Sequence, residues 1–159
     1  MQQLAILHTR EVKAIKDALQ KQFGYFLRED YAYLQNDKQR VFIITKEVAK
    51  IELKNLKIDK LGLYFGEIMK NGEFRLSKEG TQVLVREARE HDAALINTVD
   101  LTPAQVKEYF QGHDLELDLG TESKLVILFY NKDTIGCAKY KEGKILNFLP
   151  KIHRGEVIV

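Results

Sequence analysis

The chain has 159 residues but a single cysteine, two prolines and no tryptophan. Cys137 has no partner for an internal disulfide and cannot build a thiolate zinc site, which needs several sulfurs. His8, His91, His113 and His153 show no metal-ligand spacing, so the sequence predicts no metal site. No apolar run approaches the ~20 residues of a membrane helix. Met1 is not followed by a secretory apolar region and cleavage site, and a soluble cytoplasmic protein is expected. Low-complexity tracts and Gly/Ser-rich linkers are missing, which argues against disorder. Also missing are a Gly-x-Gly-x-x-Gly cofactor loop, a Walker-type phosphate loop and a Gly-x-Ser-x-Gly nucleophile elbow, and no cofactor is expected. His91-Asp92 and His113-Asp114 are neighbours in sequence only, and a catalytic dyad is assembled in space. No catalytic residue is predicted.

What is present suits a globular protein of one ordinary domain or two small ones, with 45% hydrophobic and 30% charged residues. The net charge of +2 conceals a segregated distribution. Residues 108–122 carry five acids and no Lys or Arg, whereas residues 139–154 carry five bases against Glu142 alone. Such polarity makes a local basic surface on a nearly neutral protein.

The pattern predicts a helix from a Thr9 cap to about Gln22, with Val12, Ile15, Leu19 and Phe23 inside and Lys13, Lys16 and Lys21 outside. Strands are expected at 25–30, 31–37, 40–45 and 61–68, with a short helix over 46–53. Gly62 and Gly66 in the last of these strands suggest a bulge or close backbone approach. Asn71-Gly72 signals a hairpin turn. Ser77 caps a second helix, and 93–99 reads as a short buried strand. Thr102, Pro103 and Gln105 form a capped helix start, and Gly112 ends that helix. Three strands then follow, at 123–131, 134–140 and 145–150, joined by tight turns. Short, closely spaced strands favour a small barrel.

The C-terminal cations stand out chemically. Lys139 and Lys141 flank Tyr140, so both face one side of a strand. Lys144 lies across the turn at Gly143, Asn147 offers donors and acceptors, and Lys151, His153 and Arg154 follow Pro150. Clustered cations with a nearby amide fit a phosphate backbone, where Lys and Arg release counterions. Tyr109, Tyr140 and Phe148 read either as core or as stacking surfaces for bases.

These residues resemble a PUA domain, the RNA-binding barrel of pseudouridine synthases and archaeosine transglycosylases. The segment is most similar to the PUA domain at the C-terminus of RNA cytosine-5 methyltransferases. The resemblance rests on Gly112, Asp114 and Leu115 after a helix, Gly136 and Lys139 in a later strand, and Asn147, Pro150, Lys151 and Arg154 after it. Leu146 and Phe148 stand where related segments often carry Lys and His. Residues 61–80 are similar to the junction of small two-domain ribosome-biogenesis factors of the Nip-seven type. The resemblance implies an α+β chain. It would comprise a small α/β pre-PUA domain over 1–72 and a PUA-like mixed β-barrel over 73–159. It implies RNA contact at Lys139, Lys141, Lys144, Asn147, Lys151, His153 and Arg154, with Gly112, Asp114, Gly136 and Pro150 as structural positions. The expected partner is structured RNA, rRNA or tRNA, with a protein partner on the N-terminal domain. Two other readings stay open: an accessory RNA-binding subunit of a separate modification enzyme, and a protein-binding scaffold without RNA affinity.

Overall fold

Ile15, Leu19 and Phe23 recur at helical spacing and are buried, so one stripe of residues 9–23 closes a core while its other sides meet water. In the computed structural model, which describes residues 4–46 and 62–147, this stretch is helix α1 (Thr9–Phe23). Its N-cap is His8 rather than the expected Thr9. The Glu11 carboxylate three residues on accepts the His8 backbone N–H at 3.1 Å, which fixes the start one residue earlier. Gly24 ends the helix in the left-handed conformation, at φ 77°.

The first unit spans Met1–Leu95. Its sheet is an antiparallel meander of β1 (Ala5–Ile6), β2 (Tyr31–Gln35), β3 (Arg40–Thr45), β4 (Leu63–Ile68) and β5 (Phe74–Leu76), in that order. Residues 25–30, expected as a strand, are irregular. Tyr25 and Leu27 are buried, but the backbone N–H groups of Arg28 and Glu29 are taken by the Glu87 carboxylate instead of by a ladder. Glu87 belongs to α2 (Lys78–Glu90), which Ser77 caps by accepting the Gly80 N–H at 2.8 Å. A Cβ at Gly80 would overlap the Phe65 carbonyl, and one at Gly66 would overlap the Arg75 carbonyl and the Phe74 ring. The close approach expected at Gly66 is therefore real and lets β4 meet β5, while the bare Gly80 lets α2 meet β4. The expected short helix over 46–53 lies almost wholly outside the described residues.

The sequence places the start of the second domain at residue 73, after the Asn71-Gly72 turn. That boundary moves to 95/96. The reason is pairing: Phe74, Arg75 and Leu76 complete the first sheet against Ile68, Glu67 and Gly66, and α2 supplies the carboxylate that holds residues 25–29.

The second unit spans Ile96–Val159. It comprises β6 (Thr98–Asp100), α3 (Pro103–Phe110), β7 (Leu115–Glu116), β8 (Lys124–Tyr130), β9 (Asp133–Lys141) and β10 (Lys144–Leu146). Its mixed sheet, ordered β6-β8-β9-β10-β7, curls into a half-barrel. The fold class is thus α+β. The buried strand expected over 93–99 shrinks to Thr98–Asp100. Asn97 adopts φ 56°, which breaks the extended run, and Ile96 is 49% exposed. Val106 and Tyr109 of α3 pack into one core with Leu115, Val126, Tyr140 and Ile145. No described helix is long and apolar enough to cross a membrane.

Candidate nucleic-acid interface

The basic hairpin is built by its turn. Glu142 (φ 52°) and Gly143 (φ 78°) are both left-handed, the signature of a two-residue turn whose twist matches paired strands. Lys141 and Lys144 are therefore directly opposed, Tyr140 faces Ile145, and Lys139 faces Leu146. Paired residues share a sheet face. Lys139, Lys141 and Lys144 occupy one face, and Tyr140, Ile145 and Leu115 the other. Lys141 and Lys144 are exposed and Lys139 is half-buried. On its other side Lys144 is in register with Glu116 of β7.

The opposite face is core. Tyr140 is fully buried, and its hydroxyl accepts the Leu119 N–H at 2.8 Å and donates to the Gly120 carbonyl at 2.7 Å. Tyr109 is also buried. Neither ring is a stacking surface. Both are packing residues, and Tyr140 pins the acidic 117–120 segment to the sheet.

Asn147 stands apart from the lysines it was grouped with. Its side-chain amide donates to the carbonyls of Tyr109 at 2.6 Å and His113 at 2.9 Å. Its backbone N–H donates to the Asp114 carboxylate at 2.8 Å. Asn147 thus ties the end of β10 to the C-terminus of α3 and the turn that follows it. Its amide hydrogens serve the fold. Gly112 lies just beyond the helix at φ 92°, and its N–H donates to the Tyr109 carbonyl at 3.0 Å. Gly136 is buried at φ 154° beside the register shift between Leu128 and Phe129, where a side chain would be strained.

Pro150, Lys151, His153 and Arg154 lie outside the described residues, as does Phe148. The structure brings Lys139, Lys141 and Lys144 to one hairpin and places Asn147 beneath its open end. No described group of His, Cys, Asp and Glu could hold a metal ion.

Sequence reasoning missed two features. Strand β7, two residues long and inside the acidic stretch, is too short to leave a periodic signal. Lys13 and Lys16, read as the solvent side of α1, are exposed and half-buried respectively and also line a cleft together with Lys46.

Comparison with known proteins finds two domains in this chain, one within each unit. Residues 6–77 match the NIP7/UPF0113 pre-PUA domain, and residues 96–154 match the methyltransferase RsmF PUA domain. Similar curated relatives are ribosomal RNA small subunit methyltransferases F. That of Shewanella sp. strain W3-18-1 is 25% identical over 144 residues, covering 90% of this chain and 28% of the relative. That of Shewanella sp. strain MR-7 is 26% identical, covering 89% of this chain and 29% of the relative. The chain therefore spans under a third of the length of these relatives. In chain order, then, residues 6–77 match a pre-PUA domain of the NIP7 type and residues 96–154 a PUA domain of the RsmF type.

Proposed function

We propose that this protein binds structured RNA, rRNA or tRNA, without catalysing a reaction on it, in ribosome biogenesis or RNA modification in the cytoplasm. The observation that carries the reading is the apposition of Lys141 and Lys144 on a PUA hairpin. Like charges directly opposite on neighbouring strands destabilise a sheet. A polyanion laid across them converts that cost into attraction and releases counterions. Lys139 extends the same face along β9, and Lys151, His153 and Arg154 follow in the sequence. Gly112, Asp114, Gly136 and Asn147 shape the surface and do not touch the ligand.

The non-catalytic part of the reading rests on the sequence. The cofactor loop and Pro-Cys nucleophile of RNA cytosine-5 methyltransferases are absent from it. Likeness to methyltransferase F supports a second reading, in which the protein supplies RNA grip to a separate modification enzyme. A protein partner on the pre-PUA unit belongs to either reading.

Crosslinking in native cells followed by sequencing of the bound RNA tests the proposal. Enrichment of defined rRNA or tRNA segments supports it. Recovery of no RNA above an untagged control contradicts it. Co-purification of a modification enzyme alongside the RNA would favour the second reading.

A further inference from the structure

The pre-PUA unit contains a cleft of about 420 Å³ between the first half of α1 and the β1–β2 side of the sheet. That is within the size range of small-ligand sites. Thr9, Val12, Lys13 and Lys16 line it, at the i, i+3, i+4 and i+7 spacing of one helix face. Lys46, just after β3, brings a third ammonium. Among the described lining residues the sole carboxylate is Asp30, which Lys46 already engages at 2.7 Å. The cleft thus carries an excess of two positive charges. It also sits beside the first turn of a 15-residue helix, whose dipole favours an anion.

The remaining walls are of a different kind. Ile6, Leu7 and Val12 are apolar, and Tyr31 contributes a half-buried aromatic side chain. Tyr33 also lines the cleft, and its buried hydroxyl has no hydrogen-bond partner among the described residues. Burial pushes the Tyr33 phenol up from its ordinary pKa, so it stays protonated and able to donate. Buried donors in folded proteins are nearly always satisfied, so the hydroxyl of this lining residue is an unmet donor.

We infer that this cleft binds a ribonucleotide phosphate, with Lys13, Lys16 and Lys46 around the phosphoryl oxygens and the apolar wall and Tyr31 against the sugar or base. The phosphate belongs either to an RNA strand or to a free mononucleotide. In its RNA form the inference rests on the RNA-binding reading above and extends the footprint of the RNA to the pre-PUA unit.

The test is an amide NMR titration of the full chain with three probes: inorganic phosphate, adenosine 5′-monophosphate and a single-stranded RNA oligonucleotide. A Lys13→Gln/Lys16→Gln variant, with its melting temperature measured as a fold control, is titrated in parallel. RNA binding predicts shifts at residues 9–16 and 31–33. It also predicts that the variant binds RNA more weakly, with the slope of log affinity against log salt reduced by about 1.4 for two lost phosphate contacts. Shifts at the cleft with the mononucleotide but not with RNA support the site with a free ligand and remove RNA as its source. Shifts confined to the 139–147 hairpin, with the variant binding as tightly as the natural chain, overturn the cleft site and leave the RNA-binding reading standing. No shift anywhere with any probe overturns both.

Discussion

Asn147 is where ligand chemistry and architecture are most easily confused. An amide among lysines reads as a contact to RNA, yet three hydrogen bonds commit it to Tyr109, His113 and Asp114. Asn147→Ala removes both side-chain bonds, leaving the Tyr109 carbonyl with only the Gly112 N–H and taking the amide from the His113 carbonyl, a loss of about 1–3 kcal/mol. The expected outcome is a lower denaturation midpoint in urea, whereas an RNA contact would leave the midpoint unchanged. Gly112 makes a second claim at this scale. Its φ of 92° suits glycine, and Gly112→Val costs on the order of 1–3 kcal/mol. Calorimetry should show a reduced melting temperature. The sequence made Gly112 legible because helix termination is local, as is the capping box in which Thr102 accepts from Gln105 at 3.2 Å. The role of Asn147 was not legible, because its partner Tyr109 lies 38 residues away in the chain.

Distance in sequence also explains which elements could be anticipated. Helices α1, α2 and α3 and strands β8 and β9 carry their own periodicity and turn signals. Residues 25–30 carry a strand-like composition, but α2 overrides it from about 60 residues away: the Glu87 carboxylate accepts from Tyr25 Oη at 2.9 Å and from the Glu29 N–H at 3.3 Å. The same linkage hid the domain boundary, since a hairpin turn at Asn71-Gly72 looks like a junction until β5 and α2 are seen to belong to the first sheet. This packing has a signature in pH. Burial first, and then the hydrogen bond and charge of Glu87, push Tyr25 up to about 12, and burial with Glu29 does the same for Tyr31. Burial also raises Tyr64. These phenols hold their protons more tightly folded than unfolded, where they titrate near 10. Their contribution is complete below pH 10 and is lost as pH rises through about 12. Melting temperature should therefore fall steeply between pH 10 and 12, with tyrosinate absorbance rising together with unfolding. Tyrosinate absorbance that rises fully near pH 10 in the still-folded protein would show that Tyr25 and Tyr31 are not held as described.

For the whole molecule the charge pattern carries more than the net charge. A balance of +2 predicts little, but five bases against one acid over residues 139–154 predict a salt-dependent grip on a polyanion. The cofactor loop and Pro-Cys pair are absent from the sequence, so calorimetry with S-adenosylmethionine should give no binding isotherm. A saturable isotherm would contradict the non-catalytic reading. The central claim is that the PUA hairpin grips RNA through Lys141 and Lys144. Its most direct test is fluorescence anisotropy of a labelled structured RNA across a salt series, comparing the natural chain with Lys141→Glu/Lys144→Glu. Both positions are exposed, so the fold should persist, as far-UV circular dichroism would report. Binding weakened across RNA sequences, with a salt slope shallower by about 1.8 for two duplex phosphate contacts, is the predicted result. Unchanged affinity and slope in a folded variant would contradict it.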